Sequence, residues 1–356
     1  MFAQEGAQIP PEAGWRSVRL APVWAPDKPI SIIRGLCLVA RRSRSLDAIL
    51  VNTYVTGFGR SAVANGIGLL LVSFLGAIKR RAVTVYMHNF LETQDIDQLG
   101  YNPSIMARLV VRLLEGLILR TTKVVVPLQS QEQKVRESLG GHPLWISVPY
   151  LEPYALALHS RAPIDPTGQP VTKPLTILLL GKWGPQKDLA GALAALKLAR
   201  DSGGSFLVDI VGSFNRNFPD YEKTFREAIA GMNAEWVRVL EPIPEGELLK
   251  AVAAHEILLL PYNASGGYSA AMTIGAYCGL RIISYDLPQL RECARALRIE
   301  PIFVPGGSVE SLSLAIQRAL HDVGRQGLIR YGPSTAECDN LVNIGTTRLL
   351  EHALSR

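Results

Sequence analysis

Two lysines follow an apolar run of this sequence, in a position where they could neutralise a diphosphate. Lys182 and Lys187 flank the loop GKWGPQKD, which comes directly after the run LTILLL, and Gly181 permits a tight turn at its start. In group transfer a departing diphosphate carries negative charge, which ammonium groups stabilise. The pair therefore predicts a diphosphate site, and two solvated loop lysines are the alternative.

A second candidate for phosphate binding lies in the segment from Ile257 to Asp286, ILLLPYNASGGYSAAMTIGAYCGLRIISYD. It is typical of a buried strand, a loop of small residues, a helix from about Ser269 to Cys278, a stop at Gly279 and a second buried strand. Backbone N–H groups at the start of such a helix bind anions. The residues expected to form this site are Ser265, Gly266, Gly267, Tyr268 and Ser269, and a tight turn without a ligand is the alternative.

The sequence predicts that parallel sheets position the two lysines and the loop from Ser265 to Ser269. Apolar runs on both sides of a helix predict a βαβ unit, and such units occur before and after the proline-rich residues 151–174. We therefore predict an α/β protein of two doubly wound, Rossmann-like domains that face each other across a cleft. The expected domains are residues 1–160 and 161–338, and a final helix in residues 339–356 could cross back onto the first domain.

The first domain contributes a candidate base and two apolar helices. His88 ends the predicted strand AVTVYMHN, where an imidazole with a pKa near 6.5 could orient or deprotonate an attacking hydroxyl. Residues 64–78 are almost wholly apolar but too few to cross a bilayer as a helix, so they predict a core helix or one at a membrane interface. Residues 103–120 predict a helix packed on its own sheet by one apolar stripe, which comprises Ile105, Leu109, Leu113 and Leu117.

Composition narrows the possible partners. The chain has 356 residues, enough for two cores, and its four cysteines lack the spacing of a metal site, so a reducing compartment is expected. The amino terminus has no secretory pattern. Residues 1–150 carry 17 Lys and Arg against 10 Asp and Glu, whereas the remainder carries 20 against 21. This asymmetry favours an acidic partner for the first half, such as an anionic membrane surface or a lipid-linked pyrophosphate, and a solvated basic face is the alternative.

The residues described above resemble those of a known family. From about residue 175 to 323, the chain resembles the donor domain of GT-B nucleotide-sugar glycosyltransferases, in particular glycosyltransferase family 4. In that resemblance, Lys182 and Lys187 hold the donor diphosphate, and the segment around Pro242 and Ile243 cradles the nucleobase. YMHN and VVVPLQSQEQKV give a weaker match in the first domain, from which Gly57 and Asn89 are carried over as acceptor-binding residues.

The sequence departs from the family pattern in two places. The paired glutamates of the family fall on Gly266 and Ile274, so both acids are absent, and Ser265, Ser269 or Thr273 could replace their polar contacts. This departure leaves the recognition of the donor ribose and the stereochemistry open. At the amino terminus, the first strand of the family and its glycine-rich loop are not evident.

The resemblance implies a metal-independent glycosyltransferase that moves a sugar from a UDP- or GDP-sugar to a hydroxyl acceptor, with no other cofactor. The basic first domain favours a glycan or lipid-linked acceptor, and hence a cytoplasmic protein peripheral to the inner face of the membrane. The alternatives are a non-catalytic scaffold of the same shape and, less favoured, a nucleotide-sugar epimerase. No nucleic-acid-binding module is recognisable, so we expect no nucleic-acid partner.

Overall fold

The computed structural model contains two parallel β-sheets covered by helices. The residues that it describes are 2–4, 21–24, 29–42, 48–53, 62–79, 83–94, 104–147, 174–215, 218–232, 235–326, 345, 347–349 and 351–355. Its strands are β1 Phe2–Gln4, β2 Ala21–Trp24, β3 Ile49–Thr53, β4 Val83–Met87, β5 Lys123–Val126, β6 Leu144–Trp145, β7 Leu175–Leu180, β8 Phe206–Val211, β9 Val237–Leu240, β10 Ile257–Leu260, β11 Arg281–Tyr285 and β12 Ile302–Val304.

The helices alternate with these strands along most of the described chain. They are α1 Pro29–Arg42, α2 Ala62–Lys79, α3 Ile105–Thr121, α4 Gln129–Leu139, α5 Leu189–Asp201, α6 Pro219–Met232, α7 Glu245–Val252, α8 Ala270–Tyr277, α9 Pro288–Leu297 and α10 Val309–Gln326, with a short 3-10 helix at Leu91–Thr93. Among the described residues, none of these helices combines the length and the apolar character needed to cross a bilayer.

The second sheet has six strands in the order β12-β11-β10-β7-β8-β9. All neighbours are parallel, and Leu178 of β7 lies between Leu258 of β10 and Asp209 of β8. Strand β10 is wholly apolar and β7 is apolar except for Thr176, as expected for strands with helices on both faces of the sheet. The order reverses between β7 and β10, and ligands bind at such a switch point in open parallel sheets.

The first sheet has four parallel strands in the order β3-β4-β5-β6, and β1 pairs with β2 in a separate two-stranded sheet. In the four-stranded sheet, the strands lie side by side in the order in which they occur in the chain. Right-handed crossovers therefore place α2 and α3 on the same face of this sheet, where the two helices pack side by side. Every residue of β4 is buried. Leu349, near the carboxyl terminus, packs with Tyr86 of β4 and Val125 of β5, and Lys123 Nζ donates to the carbonyl of His352 at 3.1 Å.

The two sheets face each other with their carboxyl edges. The loop before α8 contacts the segment after β4, since Gln94 Nε2 donates to the Gly266 carbonyl at 3.4 Å. At a second contact, the Ser130 N–H at the start of α4 donates to the Glu292 carboxylate of α9 at 3.1 Å, and the Ser130 hydroxyl donates to the same group. The site between the sheets is therefore bordered by residues far apart in the sequence.

One sequence-based expectation is wrong, and two elements were not predicted. The stripe of α3 that was expected to pack on the sheet faces outward, with Ile105 80% and Leu113 73% exposed, while Glu115 and Ile118 are buried. The helix α6 and the strand β1 are the two elements that the sequence did not predict. The proposed linker at residues 151–174 lies outside the described residues, apart from residue 174, so the domain limits stay predictions.

Candidate functional site

A cavity of about 290 Å³ opens at the carboxyl edge of the second sheet, at the switch point between β7 and β10. It brings together both predicted lysines and all five residues from Ser265 to Ser269, which we call the glycine loop. The residues that line it are Gly181, Lys182, Gln186, Lys187, Tyr262, Ala264, Ser265, Gly266, Gly267, Tyr268, Ser269, Ala270 and Ala271. This lining contains two ammonium groups and no carboxylate, so it suits an anion.

The two lysines differ in their surroundings. Lys182 is exposed at the mouth of the cavity, whereas Lys187 is mostly buried. The Lys187 Nζ donates to the Tyr262 hydroxyl at 3.2 Å and lies 4.2 Å from the centre of the Tyr262 ring and 5.1 Å from that of Trp183. No carboxylate is among these contacts, and burial lowers the pKa of Lys187 from 10.5 to about 7. The ammonium is thus held by π-faces and one hydroxyl, which leaves it able to bind an anionic ligand.

The backbone fixes Lys187 from both sides. Residues 187 and 262 form an isolated antiparallel bridge between the loop after β7 and the residues after β10. The Asp188 N–H donates to the Pro261 carbonyl at 2.7 Å, and the Asp188 carboxylate accepts from the Tyr285 hydroxyl at 2.8 Å. A side chain at position 181 would collide with the ammonium, because a Cβ there would lie 2.1 Å from Lys187 Nζ. The observed position of the Lys187 ammonium therefore requires glycine at position 181.

The glycine loop ends at the amino terminus of α8. Ser269 is the N-cap, since its hydroxyl accepts from the Met272 N–H at 3.2 Å, and its own N–H donates to Cys293 Sγ at 3.4 Å. The Ser265 hydroxyl donates to the Gly267 carbonyl at 2.9 Å, which holds the loop in a tight turn. Because Gly266 and Gly267 have no side chains, this wall of the cavity presents backbone to a ligand, and the helix dipole adds positive potential.

The segment after β4 of the first sheet is in direct contact with the glycine loop. A Cβ at Gly267 would lie 2.9 Å from the His88 carbonyl oxygen, so only glycine allows this approach. The same carbonyl accepts from Gln131 Nε2 of α4 at 3.0 Å. Chain from both domains therefore supports the loop that borders the cavity.

The His88 side chain is not among the residues that line the cavity. Its Nε2 lies 2.6 Å from Asn52 Oδ1, within hydrogen-bond distance. The ring packs edge-on against Tyr86 at 5.0 Å between centres. Burial lowers the pKa of His88 to about 4, so the imidazole is neutral at physiological pH and weaker as a base than the reference value suggested. A catalytic role for His88 stays a prediction.

Four other predicted residues lie apart from the cavity. Pro242 and Ile243 follow the edge strand β9 at the same sheet edge, where Ile243 packs against the core below. Thr273 is fully buried within α8, and its hydroxyl donates to the Ser269 carbonyl at 2.9 Å, which makes it a poor candidate for ligand contact. Asn89 follows His88 but does not line the cavity, and Gly57 lies outside the described residues.

Sequence reasoning missed five residues of the lining, which are Gln186, Tyr262, Ala264, Ala270 and Ala271, and two of these have polar side chains. Tyr262 and Gln186 enter the cavity because the loops after β7 and β10 pair with each other, a contact across 75 residues. The Oε1 atom of Gln186 is buried without a hydrogen-bond partner, although the Gln186 carbonyl accepts from the Asn263 N–H at 2.9 Å. No local pattern marks either residue. Within the described part of the chain, no group of three or more His, Cys, Asp or Glu side chains is placed to hold a metal ion.

Comparison with solved structures identifies similar folds. HepE from Anabaena, crystallised in complex with UDP and glucose, is 14% identical over 94% of this chain and 85% of its own, with a TM-score of 0.66. A glycosyltransferase from Rickettsia africae is 14% identical over 95% of this chain and 86% of its own, with a TM-score of 0.60. Sucrose-phosphate synthase from Thermosynechococcus elongatus is 15% identical over 92% and 80%, with a TM-score of 0.59.

Neither a comparison with family models nor one with curated protein sequences finds a match. The fold is nevertheless clear, since the structural similarity extends over more than nine-tenths of the chain and its relatives are GT-B proteins. The chain therefore has the GT-B fold, with its cavity at the edge where the two sheets face each other.

Proposed function

We propose that this protein is a glycosyltransferase that moves a sugar from a UDP- or GDP-sugar to a hydroxyl acceptor. The observation that carries the proposal is the position of the Lys187 ammonium in a cavity that is also lined by the glycine loop before α8. A nucleoside diphosphate fits this lining because both its charge and its oxygen atoms are matched by ammonium and backbone N–H groups. Similar structures that contain UDP or UDP-glucose lend further support.

In the proposed reaction, the bond between the anomeric carbon and the diphosphate oxygen breaks, and a bond to the acceptor oxygen forms. Lys187, Lys182 and the glycine loop stabilise the negative charge that the departing diphosphate gains, so no metal ion is required in this proposal. The acceptor hydroxyl gives its proton to the departing diphosphate, and we assign His88 the role of orienting this hydroxyl. Its lowered pKa argues against a role as the principal base.

The acceptor is proposed to be a lipid-linked or polysaccharide intermediate at the cytoplasmic face of a membrane. The support is the charge of the first domain, where residues 1–150 hold 17 Lys and Arg against 10 Asp and Glu. Such a surface attracts anionic headgroups and pyrophosphate-linked glycans. The cavity lies where the two domains meet, so an acceptor held by the first domain would reach the donor.

The test is a transfer assay. The purified protein is incubated with a membrane-lipid extract and a panel of radiolabelled UDP- and GDP-sugars, and transfer of label to the organic phase is measured. We expect label from at least one donor to become organic-soluble in the presence of wild-type protein and not with Lys187→Ala. Absence of transfer from every donor, with correctly folded protein, would contradict the proposal.

The absence of both family glutamates leaves an alternative function open, that of a scaffold without catalytic activity. The positions of those acids are occupied by Gly266, which packs against Gln94, and by Ile274, which is buried in the core. A scaffold that has lost catalysis would bind neither UDP nor GDP, or would bind one of them without transfer. Calorimetric titration of both nucleotides, run beside the transfer assay, distinguishes these cases. Incubation of the nucleotide sugars without acceptor would reveal an epimerase by its product.

A further inference from the structure

The outward face of the first domain carries large apolar side chains on two neighbouring helices. On α3, Ile105, Met106 and Leu113 are 80%, 69% and 73% exposed. On α2, Val63, Leu70, Phe74 and Ile78 are all between 49% and 65% exposed. We call these two exposed stripes, with Leu109 and Val110 of α3, the apolar face. Scattered exposed apolar residues are ordinary, but a contiguous group of this size marks an interaction surface.

The spacing of these residues shows that each helix presents one continuous stripe. The α2 residues are separated by seven, four and four positions, and Ile105, Leu109 and Leu113 of α3 by four each, so each set lies on one side of its helix. The opposite sides are also apolar and pack on the sheet, as Leu69 and Val72 of α2 do. Because α2 and α3 pack side by side, the two stripes adjoin.

The charges on the helices α1, α2 and α3 are almost all positive. Helices α1, α2 and α3 contain three, one and three Lys or Arg residues, and the only carboxylate among them is Glu115. Glu115 is fully buried, and burial raises its pKa to about 8, so it contributes little negative charge at physiological pH. Arg34, Arg41 and Arg120 are exposed on α1 and α3. The Arg112 side chain is 52% exposed and forms an ion pair with Glu92, with 3.7 Å between Nη1 and Oε1.

We propose that the apolar face docks on an anionic lipid membrane, with the apolar stripes of α2 and α3 among the upper acyl chains and the arginines at the headgroups. An apolar stripe beside cations matches the two layers of such a surface, whereas a protein partner would need both an apolar patch of the same shape and acidic residues around it. This inference deepens the membrane part of the proposed function and rests on it for the nature of the acceptor. It does not require catalysis.

The test is binding to lipid vesicles, measured by flotation of the full-length protein. Vesicles of phosphatidylcholine alone are compared with vesicles that contain one-third phosphatidylglycerol. Wild-type protein is expected to float with the anionic vesicles and to bind the neutral ones at least about tenfold more weakly. The variant with Leu109→Ser and Leu113→Ser together, and Phe74→Ser separately, should each weaken binding to anionic vesicles at least about tenfold. Arg120→Glu should weaken it about fivefold.

The second domain offers matched controls. Leu198 and Leu314 are 40% and 65% exposed there, so the double variant Leu198→Ser and Leu314→Ser removes a similar apolar area and should bind vesicles like wild type. All variants should bind UDP with unchanged affinity, so loss of vesicle binding with intact UDP binding separates this inference from the proposed function.

Three results would overturn the proposal. The first is wild-type protein that floats with neither vesicle, and the second is equal vesicle binding by the α3 double variant and its control. The third is a dimer in light scattering that Leu113→Ser dissociates, because the apolar face would then be covered by a second copy of the chain.

Discussion

In most proteins charges are exposed and apolar side chains are buried, and two regions of this molecule depart from that rule, one by burying a charge and the other by exposing apolar side chains. In the second domain, the Lys187 ammonium is buried without a carboxylate among its contacts. In the first domain, α2 and α3 turn a row of large apolar side chains outward. Each arrangement opposes folding or solubility, because burial penalises a charge and water penalises apolar surface. Such departures are expected where a ligand or a surface completes the environment, which is why we propose an anion for one region and a lipid surface for the other.

The largest expected effect is at the buried cation. Lys187→Met keeps the length of the side chain and removes the charge, so we expect UDP binding to weaken about 10- to 100-fold, the size of a lost charge-assisted hydrogen bond. The melting temperature should stay the same or rise, because a buried ammonium no longer has to be desolvated. Fluorescence-monitored UDP titration and thermal unfolding measure the two effects.

The matched control for this variant is Lys182→Met, which removes an exposed ammonium from the same cavity. Because solvent screens that charge, UDP binding should weaken only about three- to fivefold. A Lys187→Met protein that binds UDP like wild type, or that melts several degrees lower, would mean that the ammonium serves the fold and not a ligand.

The second effect concerns the glycine beside the lysine. In Gly181→Ala the new Cβ would lie 2.1 Å from Lys187 Nζ, so the ammonium must move and UDP affinity should fall about tenfold. In the control Gly324→Ala, nothing lies within 4 Å of the new Cβ, and the helix should gain about 0.5–1 kcal/mol of stability without any change in UDP affinity. Equal UDP affinity in the two variants would show that the position of the ammonium is unimportant.

The third effect is a pH dependence. With a pKa of about 7 in the free protein, Lys187 loses its proton as pH rises from 7 to 9, and a bound diphosphate must restore it. UDP affinity should therefore fall by up to about tenfold per pH unit in this range, with proton uptake on binding. Lys187→Met should remove this dependence and Lys182→Met should retain it. A pH-independent affinity in wild type would contradict the predicted state of Lys187.

The same pKa shift predicts the opposite trend for stability. Unfolding returns Lys187 to a pKa near 10.4, so between pH 7 and about 10 the unfolded state binds more protons and wild-type stability rises with pH from this group. Urea unfolding of wild type and Lys187→Met across this range isolates the contribution. We expect the difference in unfolding free energy between the two proteins to shrink as pH rises.

The smallest effect is expected at the contact between the domains. Glu292 accepts hydrogen bonds from the Ser130 N–H and hydroxyl, so Glu292→Gln removes the charge and keeps the shape. UDP affinity should weaken only about two- to threefold, because the cavity itself is unchanged. Glu300→Gln, an exposed position, is the control and should have no effect. A loss above about tenfold would indicate that closure of the domains dominates binding.

The second domain was largely predictable from the sequence. Its strands are short, mostly apolar runs. Several of its helices begin and end at recognisable residues, and the expected helix from about Ser269 to Cys278 is the observed α8, with Ser269 as N-cap and Cys278 as C-cap. The prediction that Lys182, Lys187 and the glycine loop share one cavity rested on the rule that carboxyl ends of parallel strands meet at one edge. Tyr262 and Gln186 could not be found in this way, because their position depends on the pairing of two distant loops.

The first domain was harder to predict for a physical reason. Hydrophobic periodicity identifies a buried face only when the opposite face is polar, and α3 is apolar on both. The stripe of Ile105, Leu109 and Leu113 was therefore assigned to the sheet although it faces outward. The lowered pKa of His88 was also beyond sequence reasoning, since it depends on how deeply the ring packs beside Tyr86 and Asn52.

Calorimetry at pH 8, in two buffers of different ionisation enthalpy, tests whether the Lys187 ammonium and the glycine loop bind one nucleoside diphosphate. We expect saturable binding of UDP or GDP to wild-type protein, with close to one proton taken up per nucleotide, and no proton uptake by Lys187→Met. Absence of binding heat with both nucleotides, in protein whose thermal unfolding is cooperative, would contradict this expectation.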